Sequence, residues 1–160
     1  MPYNGIAPIN FDPVSGVTAT IGGGIEVGTR LEYGGRDYVY VYNGGNSQAL
    51  PGHGVTVSAT SGYTVTISST SMTDVFVGVV HHSTIPTGYY GWVVARGNVK
   101  VRAAANSGLA AGDILNAGGD GVHVNNSVVT NIVAPFLHGK VTVATASAGV
   151  GEAIVSCLYY

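Results

Sequence analysis

Charged residues are scarce in this sequence of 160 residues: six are Lys or Arg and eight are Asp or Glu. Their share is 9%, against about 25% in an ordinary soluble domain. The net charge of −2 excludes the basic surface of a general nucleic-acid binder. So few charges favour a folded surface that is largely covered by other protein, although a surface rich in Ser, Thr and Asn is an alternative explanation.

Cysteine and long apolar runs are also lacking. The single cysteine, Cys157, excludes an internal disulfide, and its apolar surroundings favour a buried free thiol. The run 75–80 is far shorter than the ~20 residues of a membrane helix. The first residues, 1–5, lack the basic and apolar regions of a signal peptide. We therefore predict no membrane segment and no leader.

No pattern of chemically active residues is present. The sequence lacks Cys-x-x-Cys and His-Glu-x-x-His, and adjacent His81 and His82 are expected to point to opposite sides of a strand. No two carboxylates are paired by the sequence, and no Gly-x-Ser-x-Gly precedes a helix. The run 22–24 is Gly-rich but lacks the Lys-Ser/Thr of a phosphate loop. We predict no metal site, no cofactor and no catalytic residue, so the protein is not expected to be an enzyme.

What the sequence does contain is 25 glycines between short β-branched runs, a pattern typical of strands and turns. No apolar stripe with helical period appears. This pattern indicates about ten short strands. It therefore predicts an all-β fold, a compact sandwich or barrel with an extended N-terminal arm. Besides the hairpin described next, the predicted strands cover 55–57, 63–68, 74–80, 91–97, 98–102, 114–116, 122–124, 139–145 and 152–160.

The clearest hairpin joins 29–33 to 36–42 across Gly34 and Gly35, which supply the positive φ angles of a two-residue primed turn. In its second strand Val39 and Val41 are expected to face the core. Tyr38, Tyr40 and Tyr42, on the opposite face, are candidates for an interface. We also predict that 91–97 and 98–102 form a hairpin through Gly97-Asn98, and that 74–80, apolar on both faces, is a central strand.

The first 24 residues differ from the rest. They contain Pro2, Pro8 and Pro13 and several glycines, which disfavour a central strand. We therefore divide the chain into an extended arm, 1–24, and a β body, 25–160. The arm's apolar side chains are expected to lie against a partner, and they are further interface candidates: Tyr3, Ile6, Ile9 and Phe11.

One aromatic cluster, Tyr89, Tyr90 and Trp92, has two interpretations. The rings could form a platform that stacks on a sugar or a base. Alternatively, Trp92 packs in the core while Tyr89 and Tyr90 close a loop. All three residues are included among the interface candidates.

The order of these motifs resembles the decoration, or cement, proteins on the heads of tailed phages. The resemblance spans roughly residues 26–160 and is carried by 31–45, 77–80, 90–97, 112–115 and 153–158. It implies a β body without catalysis that assembles on the capsid surface, often as a trimer. The implied partner is the major capsid protein, and the implied location is the head surface of the virion after synthesis in the host cytoplasm.

Two other function classes fit the residues. One is a carbohydrate-binding module on a fibre or host-recognition protein, with Trp92 and its neighbouring tyrosines as the platform. The other is a tail or baseplate subunit. Binding to a glycan array would favour the first of these, whereas cosedimentation with phage heads would favour a decoration protein.

Overall fold

The computed structural model describes residues 16–19, 25–58, 62–67, 74–104, 109–117, 121–125, 139–143 and 149–156. No α-helix occurs within these ranges, and the all-β prediction is confirmed. The described residues form ten strands: β1 (Arg30–Tyr33), β2 (Arg36–Asn43), β3 (Gly54–Ser58), β4 (Thr64–Ile67), β5 (Asp74–Val80), β6 (Tyr90–Arg102), β7 (Ile114–Ala117), β8 (His123–Asn125), β9 (Gly139–Val143) and β10 (Val150–Ser156).

Five of these strands close into a barrel. The order is β2-β4-β3-β5-β6, and β6 pairs back onto β2. The β2–β4 pair is parallel, and the other four pairs of the barrel are antiparallel. Strand β1 lies beside β2, and β10, β9, β7 and β8 extend the sheet from β6. Of the two expected architectures, the structure therefore adopts the barrel, with a four-stranded extension on one of its strands.

The predicted first hairpin is confirmed. Strands β1 and β2 are antiparallel, with Tyr33 opposite Arg36. Gly34 and Gly35 between them have φ angles of 58° and 73°. Both values lie in the left-handed region that a type I′ turn requires and that β-branched residues avoid.

The interior of the barrel is lined by valines. Val39 of β2 lies opposite Val93 of β6, and Val93 lies opposite Val80 of β5. All three side chains are fully buried. A barrel of five strands is narrower than the eight-stranded barrels whose interiors are just filled by side chains, so its interior accepts small β-branched residues. The prediction that Val39 and Val41 face the core is confirmed, and β5 is the predicted central strand.

Ile85 and Asn43 complete the packing next to Gly91 of β6. A Cβ atom placed on Gly91 would lie only 2.7 Å from Cδ1 of Ile85. A larger residue at position 91 would therefore clash with the Ile85 side chain. Asn43 is fully buried, and its amide nitrogen donates to the carbonyls of Ser47 (3.0 Å) and Ile85 (2.8 Å). Its side-chain oxygen accepts from the amide of Gly45. These bonds satisfy a buried polar group that would otherwise be costly.

The predicted hairpin through Gly97-Asn98 is wrong. Residues 90–102 form a single strand, β6, of 13 residues. Its first half pairs with β2 and its second half with β10. Asp37 lies opposite Arg96 and Tyr38 opposite Val94, so Ala95 is the extra residue of a β-bulge. The Gly-Asn pair resembles a turn, but the strand continues because β10 supplies a partner beyond it.

The remaining strands agree with expectation where they are described. The predicted strands 114–116 and 122–124 correspond to β7 and β8, which pair antiparallel, and β9 lies between β7 and β10. Of the predicted arm, 1–15 and 20–24 lie outside the described residues. Thr18, inside the arm, forms a two-bond bridge with Tyr90 of β6. The end of the last predicted strand, 157–160, with Cys157, also lies outside them.

Candidate interaction surfaces

An aromatic cluster covers the face of β2 and β6 that is opposite the barrel valines. The ring of Tyr40 lies 4.9 Å from that of Trp92 and 5.9 Å from that of Tyr90, and Tyr90 lies 4.8 Å from Tyr42. These positions follow from register, because Tyr40 is opposite Trp92 and Tyr42 opposite Tyr90. Ring pairs at such distances are worth about 0.5–1.5 kcal/mol beyond burial.

Much of this cluster is unavailable to a partner. Tyr38, Tyr40 and Trp92 are buried in the folded chain, with exposed fractions of 1%, 2% and 6%. Their selection as interface residues is therefore corrected. The side chains of β2 do alternate between two faces, but the outer face of β2 and β6 is also covered within the protein. Of the other body candidates, Tyr42 and Tyr90 are half-buried and Tyr89 is 38% exposed.

The cluster matches the second interpretation of the Tyr89-Tyr90-Trp92 motif. Trp92 packs on Tyr40 within the protein, and only Tyr89 of the three is well exposed. A stacking platform built on Trp92 would need this packing to open. The arm candidates, Tyr3, Ile6, Ile9 and Phe11, lie outside the described residues.

An exposed face lies on the extension instead. Strand β10 alternates: Ala153 and Val155 are fully buried, whereas Val150 and Ile154 are 55% and 52% exposed. Register places Ile154 opposite Asn98, and Glu152 opposite Lys100, on β6. We call this surface the extension face. It consists of Arg96, Asn98, Lys100, Val150, Glu152, Ile154 and Ser156.

Sequence reasoning missed this face because it treats the surroundings of Cys157 as apolar as a whole and does not separate the two sides of the strand. A signal for it was present. Glu152 stands between Val150 and Ile154, and residues two apart in a strand share a face. A carboxylate at position 152 favours the solvent side, so it predicts that both flanking apolar residues are also on that side.

A cleft of about 300 Å³ opens beside the extension face. We call it the histidine cleft. Its structural supports include the Arg36 guanidinium, whose Nε donates to the Asn98 carbonyl, and the Arg102 Nε, which donates to the Pro51 carbonyl at 2.8 Å. The lining residues are Arg36, Pro51, His81, His82, Asn98, Val99, Lys100 and Glu152.

The two histidines do not point apart as expected. Strand β5 ends at Val80, so His81 and His82 follow the strand and escape its alternation. Their ring centroids are 4.2 Å apart, edge to face. The Tyr38 hydroxyl lies 3.1 Å from Nδ1 of His81. Among the described residues, no group of three or more His, Cys, Asp or Glu could hold a metal ion.

The charge around His81 is positive. Its pKa is lowered from 6.5 to about 4, first by burial and then by the nearby His82, Arg36 and Lys100. Each of these neighbours disfavours a further positive charge. His81 is therefore neutral at pH 7, and the cleft's fixed cations are Arg36 and Lys100.

Comparisons with known proteins find a likeness in fold. No protein-family model and no curated protein matches the chain. Among solved structures, the chain is similar to the "head fiber gp8.5 N base" of bacteriophage phi29, with a TM-score of 0.50 and 16% identity. The match covers 77% of this chain and 99% of that chain. At this identity the likeness concerns the fold. Separately, no helix within the described part of the chain is long and apolar enough to cross a membrane.

Proposed function

We propose that this protein is a structural component of the head of a tailed phage, which attaches to the capsid surface and bridges neighbouring subunits. The observation that supports it best is the fold shared with a phage head-fibre base, a match that spans almost all of that chain. The sequence resemblance to decoration proteins points to the same location independently.

The extension face is the surface we assign to this attachment. Its apolar centre, Val150 and Ile154, is surrounded by charged and polar groups such as Lys100 and Glu152. An apolar core with a polar rim is the usual composition of a protein interface. Burial there would contribute about 25 cal/mol per Å² of apolar area before the costs of association. No chemical step is required, so the protein acts as a non-enzymatic binder.

The N-terminal arm is the second attachment element in this proposal. Its candidates, Tyr3, Ile6, Ile9 and Phe11, would be buried against the major capsid protein or a neighbouring copy. The arm reaches the body at Thr18, which pairs with Tyr90 of β6. Copies joined in this way would form a closed homo-oligomer, for which a trimer is our proposal.

A fibre base is the second candidate function, because the similar structure is itself named a head-fibre base. In that case the protein would carry a projecting structure and not only cover the capsid. A carbohydrate-binding role is less favoured, since Trp92 is inside the protein.

Electron microscopy of particles tests the proposal. Heads made with and without this protein should differ in density on the outer capsid surface. A low layer of density supports decoration, and projecting density that disappears with the protein supports a fibre base. Identical heads, together with density lost from the tail, would contradict both.

A further inference from the structure

The histidine cleft concentrates positive charge in a chain whose net charge is −2. Arg36 and Lys100, two of the six basic residues, line it, and Glu152 is its one acidic lining residue, so its fixed charges are two positive and one negative. This local excess runs against the overall balance of the protein. It therefore requires a local explanation.

The cleft is held in shape by bonds at three points. The Nε of Arg36 donates to the Asn98 carbonyl, and the Nε of Arg102 donates to the Pro51 carbonyl. The hydroxyl of Tyr38 and Nδ1 of His81 are hydrogen-bonded to each other. A site whose donors are fixed in advance loses less entropy when it binds a ligand.

The occupant must be small and anionic. A volume of about 300 Å³ is at the lower limit of ligand pockets, which suits one or two side chains. Guanidinium and ammonium groups recognise carboxylates through charge-assisted hydrogen bonds. Glu152, opposite Lys100 in the register, is the acidic residue of the lining, and its negative charge opposes the binding of an anion.

We propose that the histidine cleft binds a carboxylate side chain, Asp or Glu, of a protein partner at the phage head. This inference rests on the proposed function for the partner's location, and on charge complementarity for its chemistry. The cleft shares Asn98, Lys100 and Glu152 with the extension face, so one docked partner could contact both. Burial is the main cause of the lowered pKa of His81, and His82, Arg36 and Lys100 lower it further; a bound carboxylate would raise that pKa.

The test is a titration of the full chain with the peptide acetyl-Gly-Glu-Glu-Gly-amide, followed by NMR at the His81 and His82 ring protons. We expect saturable shifts with this peptide and none with its Gln-Gln counterpart. Lys100→Gln should weaken binding about two- to fivefold, the effect of losing one exposed ion pair. Glu152→Gln should strengthen binding, because it removes the competing negative charge.

Arg30→Gln is the matched control, since Arg30 is exposed on β1 and belongs neither to the cleft nor to the extension face. It should leave the titration unchanged. Equal weakening by Arg30→Gln and Lys100→Gln would overturn the proposal, because binding would then reflect diffuse charge. Weaker binding after Glu152→Gln would also overturn it, and so would tighter binding of N-acetylneuraminic acid than of the peptide.

Cosedimentation of the wild-type protein with heads separates this inference from the proposed function. Heads that bind the protein while the peptide causes no shift would overturn the cleft alone. A protein that binds the peptide as expected but never binds heads would contradict the proposed function, and with it the partner's location.

Discussion

The two halves of β6 show how differently the barrel and the extension are built. From Gly91 to Ala95 every residue is buried, whereas from Arg96 to Arg102 buried and more exposed positions alternate. The first half has protein on both faces of the sheet. The second half, paired with β10, leaves one face open. The barrel is therefore packed on both faces of β6, whereas the extension has one open face, and that open face is the surface that we propose for binding.

Truncation of one large side chain in the barrel and one in the extension should give the largest difference in stability. Trp92→Ala removes a ring that packs on Tyr40 and should cost about 3–5 kcal/mol in the free energy of unfolding. Ile154→Ala, on the half-exposed extension face, should change it by about 0.5 kcal/mol or less. Urea denaturation measures both. Equal losses would show that the extension is as tightly packed as the barrel.

Replacement of the β1–β2 turn should have the next largest effect. Gly34 and Gly35 both have positive φ, which costs a non-glycine residue about 1–2 kcal/mol. Changing both to Val should therefore lower the free energy of unfolding by roughly 2–4 kcal/mol. Changing both to Asn, which tolerates this conformation, is the control and should cost much less. Similar melting temperatures for the Val and Asn variants would place the turn elsewhere.

Acidification should lower the free energy of unfolding through His81, by less than the two preceding changes do. Its pKa is about 4 in the folded protein and 6.5 as the reference value. Between these values the unfolded chain binds more protons, so stability is complete above pH 6.5 and falls as the pH drops toward 4. After allowance for solvent screening, the loss is on the order of 1 kcal/mol.

The His81→Gln variant isolates this effect from the titration of carboxylates. Free energies of unfolding at pH 7 and pH 5 should differ more for the wild type than for the variant. The same pH dependence in both proteins would remove His81 as the cause.

Local signals were sufficient for part of this fold. The Gly34-Gly35 pair determined the first hairpin, and the two-residue period of β2 placed Val39 and Val41 in the core. Longer-range facts could not be read in the same way. Strand β6 continues past Gly97 because it pairs there with β10. Strand β10 lies about 50 residues later in the chain, so a local pattern could not predict this pairing. Tyr38 and Tyr40 are buried because the outer face of the barrel is packed, and no local pattern of β2 reports that.

The interaction surfaces show the same limit. The exposure of Ile154 could have been inferred from its parity with Glu152, because that signal is local. The contact between His81 and His82 could not, since it depends on where β5 ends. The histidine cleft likewise combines residues from β2, β6, β10 and two connecting segments.

The most direct test of the central claim is head binding by a variant of the extension face. Ile154→Glu places a charge in the apolar centre of that face, and Val27→Glu places one at an exposed residue (38%) elsewhere on the body. Both proteins should unfold like the wild type. In cosedimentation with heads that lack the protein, Ile154→Glu should lose binding and Val27→Glu should retain it. Unchanged binding of a folded Ile154→Glu variant would contradict the assignment of the extension as the attachment surface.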